Sequence, residues 1–175
     1  MVGHIIFTKS YTSPSRFVQG RHEQAYLLAK GHPPFPRTSI PDVQEWTYTG
    51  NRLHPTQKPI NVLRILIEAF CPPDCLVLDP FCGSGSTLVA ARLAGCSCLG
   101  IESDEWHVET ATLRYVRFHP AGCNGQVCST QKRSAVPPIR KLKKHCRYRS
   151  DSCTMDSCVL MFLRKFMRDS VRNVG

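Results

Sequence analysis

The chain has 175 residues, 42% hydrophobic and 21% charged, a balance that fits one globular domain with a modest core and excludes fibrous, membrane-spanning and wholly disordered classes. Its formal net charge of +10 suggests a phosphate-bearing partner, yet residues 1–118 hold 11 basic against 10 acidic residues while 119–175 hold 12 against 3. The positive charge therefore belongs to the C-terminal third and does not describe the body.

Residues 2–9 and 24–30 read as short apolar strands, the second ending at Gly31, with a Ser/Thr/Pro/Gly-rich loop between them. The opening residues have only a short apolar run around Ile5 and Phe7 and none of the features of a signal peptide. The body cysteines Cys71, Cys75, Cys82, Cys96 and Cys98 sit in or beside apolar segments, as reduced thiols do, so a cytoplasmic setting is expected. No segment has the roughly 20 apolar residues of a membrane span. Residues 32–59 are proline-rich without a sustained period and read as one long connection.

Periodicity returns at Ile60. In INVLRILIEAF the polar residues Asn61, Arg64 and Glu68 recur at helical spacing among apolar ones, and the following CPPD stops the helix because proline cannot continue its hydrogen-bond ladder. A short strand ending at Asp79, a glycine-containing loop, a helix over 87–93 closed by Gly95, and a second strand ending at Glu102 follow. Ser103 is placed to cap a third helix. This order is a βαβ unit, and the fold class is α/β.

The loop DPFCGSGST puts Gly83 and Gly85 between a buried strand and a helix start, where backbone without Cβ atoms can approach a ligand. Glu102, at the end of the next strand, is where a carboxylate accepts ribose hydroxyls. The pattern suits an adenosine-bearing cofactor. It is not the dinucleotide fingerprint, because Leu88 stands where the third glycine would be. A turn serving packing alone is the competing reading.

The run LVLDPFCGSGSTLVAARLAGCSCLGIESDEWHVETATLRY, preceded by NRLHPTQKP, resembles the cofactor-binding half of prokaryotic and phage DNA amino-methyltransferases. The resemblance spans about residues 3–118. It implies a partial Rossmann-like sheet and S-adenosylmethionine as cofactor, bound by Asp79, Phe81, Gly83, Gly85 and Thr87 on the methionine side and by Glu102 at the ribose. His54, Thr56 and Lys58 would cradle the amino-acid end of the cofactor. Double-stranded DNA is the implied partner, methylated on an adenine or cytosine exocyclic amine in the manner of restriction-modification systems, with no metal.

The family polarises that amine with a tetrapeptide of Asp, Asn or Ser, two prolines and an aromatic residue, and no segment of this chain fits it. HPPF at residues 32–35 has histidine in the acceptor position, and CPPD at 71–74 lacks both acceptor and ring. No catalytic residue is therefore assigned. The expectation is a truncated methyltransferase domain over 1–118, with a cofactor-binding unit at 54–118, an exposed edge beside the strand ending at Asp79, and a catalytic portion that is lost or separately encoded. Residues 119–175 are expected to be a basic, cysteine-containing, irregular tail, consistent with out-of-frame translation. Its cysteine spacings contain no CxxC pair, RKLKKHCRYR is solvated charge or a phosphate contact, and residues 158–167 could form a short amphipathic helix. The rival readings are a methyltransferase acting on RNA and a non-catalytic nucleic-acid-binding protein working through this tail.

Overall fold

The computed structural model describes residues 1–118 except 14–16, 34, 51 and 73–74, together with two later strands. Its elements in chain order are β1 (Gly3–Ser13), β2 (Gly20–Lys30), β3 (Val43–Trp46), α1 (Ile60–Phe70), β4 (Leu76–Asp79), α2 (Ser86–Leu93), β5 (Ser97–Glu102), α3 (Glu105–Arg117), β6 (Gly125–Ser129) and β7 (Cys158–Leu163). They form two sheets, ordered β3-β1-β2-β7 and β4-β5-β6.

In β1 the alternate residues Ile5, Phe7 and Lys9 are buried, the period-two pattern of a strand with one covered face. Antiparallel pairing with β2 places Phe7 opposite Glu23, and the register shifts between Thr8 and Ser13. β3 runs parallel to β1, with Lys9 beside Trp46. The long connection expected over 32–59 thus contains a strand. Only Trp46 of its four residues is buried, so the local pattern carries little signal, and pairing with β1 decides the conformation. Phe35 of HPPF is almost wholly exposed, and Pro34 lies outside the described residues.

α1 is buried along two adjacent faces. Val62 and Leu66 join Ile5, Phe7, Ala25, Leu27 and Trp46 in one cluster, while Leu63 and Ile67 join Leu88, Ala91, Cys96 and Tyr115 in the other. The solvent stripe of Asn61, Arg64 and Glu68 also contains Ile65. Cys71 caps the helix through its N–H to the Ile67 carbonyl, and Pro73 and Asp74 of the expected CPPD stop lie outside the described residues.

β4, α2 and β5 form the expected βαβ unit, with β4 and β5 parallel and Leu76 opposite Ser97. β5 is buried through its middle, whereas β4 stands at the edge of its sheet with Leu76 and Leu78 exposed. The cap of α3 is Asp104 rather than the expected Ser103. Asp104 Oδ1 accepts from the N–H groups of Trp106 (2.9 Å) and His107 (3.2 Å), and the Ser103 hydroxyl is turned to Glu102.

From the C-terminal third, β6 pairs parallel with β5 and β7 pairs antiparallel with β2. Cys158–Leu163 is therefore a strand rather than the start of an amphipathic helix. CVLMFL suits either state by composition, and the available edge of β2 selects the extended one. The basic cluster at 140–149 and residues 164–167 lie outside the described residues. Among those described, no helix is long and apolar enough to cross a membrane.

Candidate cofactor site

β4 delivers the chain to the glycine loop at Asp79, whose Oδ1 accepts the Phe81 N–H at 3.0 Å and bends the backbone away from the strand. Cys82 N–H then donates to the Ile101 carbonyl of β5, and Gly85 N–H to the Cys82 carbonyl. These bonds require left-handed backbone at Gly83 (φ 50°) and at Gly85 (φ 77°), the residue before α2. The two glycines differ in what they face. A Cβ on Gly85 would fall 2.9 Å from the Ala111 Cβ of α3, so this glycine seats the loop on the helix. A Cβ on Gly83 would lie 3.3 Å from the His54 ring, so this one admits the imidazole.

Glu102 closes the loop from β5. Its Oε2 accepts Gly83 N–H at 2.9 Å, and its Oε1 accepts Ser103 N–H at 2.7 Å and Asp104 N–H at 3.1 Å. Partial burial opposes ionisation, but the backbone donors of Asp104, Ser103 and Gly83 outweigh it and hold the carboxyl below the usual range. A carboxylate offers about four acceptor positions, and Oε2 takes a single donor among the described residues, so it can accept a hydroxyl as well. Cys82 is no nucleophile: burial and the Asp79 and Glu102 charges push its thiol up to about 12.

His54 Nδ1 accepts the Thr56 N–H at 3.1 Å, which puts the proton of the neutral ring on Nε2, toward Gly83. The ring also faces His107, 4.6 Å away between centroids. His54 thus sits against the glycine loop at Gly83, and Thr56 is held to His54 through its Nδ1. Lys58 turns elsewhere. Its Nζ is 4.8 Å from the Trp46 ring centroid and 4.0 Å from Glu23, in a group with Lys9, which donates to Glu23 at 3.2 Å and Ser13 at 2.7 Å. Phe81 is 80% exposed at the mouth of the loop, and Thr87 is half-buried in the first turn of α2.

Two contributors went unread in the sequence. Arg114, on α3, donates to the Ser84 carbonyl at 2.6 Å and lies 3.0 and 3.3 Å from the Ser84 and Ser86 hydroxyls, bracing the loop from below. Nothing in a helical pattern marks one arginine for that role. Gly100 did carry a signal, as a glycine inside an apolar strand, and a Cβ there would strike Leu88 at 2.7 Å and the Cys82 sulfur at 2.9 Å.

With this geometry in place, comparison with known proteins assigns the class. The chain belongs to the DNA methylase family, whose model matches residues 1–113. Over 102 residues it is 56% identical to the putative methylase YubD of Escherichia coli (strain K12), covering 58% of this chain and 45% of that one. It is 38% identical over 81 residues to the type II methyltransferase M2.MboI of Moraxella bovis, covering 46% of this chain and 29% of the relative. Among solved structures, the M1.HpyAVI-SAM complex aligns with a TM-score of 0.48 at 24% identity, over 63% of this chain and 60% of that one. The chain spans less than half the length of the curated relatives it matches.

Proposed function

We propose that the body of this chain is the cofactor-holding part of an S-adenosylmethionine-dependent DNA methyltransferase that modifies an adenine or cytosine amine, in the cytoplasm, as part of a restriction-modification type of system. The observation that carries the reading is the hydrogen-bond circuit of the glycine loop, in which the carboxylates of Asp79 and Glu102 accept the Phe81 and Gly83 N–H groups at the ends of β4 and β5. Family membership supports it, as does the presence of His54 against the same loop. Bound there, S-adenosylmethionine would supply an electrophilic methyl group. Glu102 would accept a ribose hydroxyl on Oε2, Gly83 and Gly85 would bring main chain close to the ligand, and Asp79, Phe81 and Thr87 would line its methionine side. Lys58, directed at Trp46 and Glu23, would act at the outer margin.

The chain's 175 residues contain no acceptor-Pro-Pro-aromatic tetrapeptide, so gripping a flipped base and its amine falls to a segment outside them. The edge position of β4, with Leu76 and Leu78 exposed, supports an additional strand there. Calorimetry on the full chain tests the cofactor reading. S-adenosylmethionine binding is expected, with loss in Gly83→Val and Glu102→Ala; a folded wild-type chain that gives no binding overturns it. Transfer of a labelled methyl to DNA tests the division of labour. The chain alone is expected to be inactive and to gain turnover when a relative's tetrapeptide-bearing segment is added, whereas robust single-chain turnover refutes the division.

A further inference from the structure

At the opposite ends of β4 and β5 from the glycine loop, three of the body's cysteines converge. Cys71 ends α1, Cys75 precedes β4 and Cys96 precedes β5. The Cys75 and Cys96 sulfurs are 3.6 Å apart. Because Leu76 pairs with Ser97, these cysteines occupy matching positions just before two parallel strands, where backbones run about 5 Å apart, inside the Cα range of a disulfide. Cys96 is completely buried, whereas Cys71 and Cys75 are partly exposed, so an oxidant reaches the cluster at Cys71 or Cys75 and not at Cys96.

We propose that Cys71, Cys75 and Cys96 form an oxidation site at which a peroxide installs a Cys75–Cys96 disulfide, with Cys71 as the point of first attack. The polarity of the cluster agrees with this order. A hydrogen bond from Cys75 holds the Cys71 thiol below its ordinary value, and the same bond, together with that to Cys96 and burial, pushes Cys75 far up. The Cys71 thiolate attacks a peroxide oxygen, the O–O bond breaks, and hydroxide departs to leave a sulfenic acid. Cys75 then displaces that hydroxyl, which takes the Cys75 proton and leaves as water, giving a Cys71–Cys75 disulfide. Cys96 attacks the Cys75 sulfur, its proton passes to the released Cys71, and the bond moves to the buried pair. Two thiols are oxidised and one hydrogen peroxide is reduced to two waters. The closed segment spans β4, the glycine loop and α2, so oxidation restrains the loop at its base without touching it. The thiol cluster stands independently of cofactor binding.

The test is peroxide titration of the reduced, folded full-length chain at neutral pH, followed by alkylation and peptide mapping. A link between the Cys75 and Cys96 peptides, with a mass loss of about 2 Da, is expected before any link to a cysteine of 119–175. Cys96→Ala should trap Cys71–Cys75, and Cys71→Ser should slow peroxide-driven closure by about tenfold or more while leaving closure by diamide intact. The wild-type map stands whether or not the variants fold. Body cysteines that all stay reduced while the later ones oxidise would overturn the proposal, as would unchanged peroxide kinetics in a folded Cys71→Ser.

Discussion

The loop between β4 and α2 and the group around Glu23 are both polar, but they are assembled in opposite ways. Around the loop, main-chain N–H groups and the two carboxylates of Asp79 and Glu102 do most of the bonding, and the residues that make it possible are glycines whose geometry is local. Around Glu23, long side chains from β1, β2 and the segment before α1 meet across the fold, with Lys9 buried and Lys58 lying over Trp46. Backbone-built sites tolerate little change in shape, whereas side-chain-built ones tolerate little change in charge.

That contrast is sharpest at Gly85. Gly85→Ala combines left-handed backbone with a contact of 2.9 Å to Ala111, and is expected to cost about 3 kcal/mol in urea unfolding. A loss below about 1 kcal/mol would mean that α3 yields and the loop is not seated as described. At the other pole, Glu23→Gln leaves Lys9 buried without its counter-charge. Partial exposure of Glu23 moderates the penalty, so about 2 kcal/mol is expected, against near neutrality for the double change of Lys9 to Met and Glu23 to Gln.

Between these poles lies Arg114, a side chain serving a backbone-built loop. Arg114→Met should weaken S-adenosylmethionine binding about tenfold, or 1.4 kcal/mol, with the melting temperature of the free chain falling little; equal losses in both would make Arg114 merely structural. Acid exposes the carboxylate half of the circuit. Because its backbone donors hold Glu102 below its unfolded value, the stabilisation is complete above about pH 4.3 and disappears as pH falls through the lowered folded value. The stability gap between wild type and Glu102→Gln should therefore narrow from pH 6 to pH 3. The smallest effect belongs to the exposed Arg64–Glu68 pair on α1, where Glu68→Gln should cost no more than about 0.5 kcal/mol.

The same division explains what could be read in advance. The βαβ order, the loop glycines and Glu102 were legible because each is a local rule: apolar strand, left-handed turn, acid at a strand end. β3 was not, because its pairing with β1 decides a four-residue segment whose own pattern is neutral. Lys58 appeared beside the loop by its place in HPTQKP, but its side chain is drawn to Trp46 and Glu23, residues remote in sequence. Arg114 was hidden for a similar reason, since its partners Ser84 and Ser86 lie a full helix and strand earlier in the chain. Ser103 looked like a cap, and Asp104 took the position because the neighbouring Glu102 carboxylate holds the serine hydroxyl.

α1 carries a constraint of another kind. Its consecutive residues Val62 and Leu63, and again Leu66 and Ile67, serve different clusters, one under each sheet. Successive helical positions are about 100° apart around the axis, so inserting a single residue at the start of α1 would carry Val62 and Leu66 onto the other cluster while turning Leu63 and Ile67 into the solvent stripe of Arg64 and Glu68, spoiling both seams together. Length variation among homologues should therefore collect in the connections flanking this helix, while its eleven residues drift in sequence without changing in number.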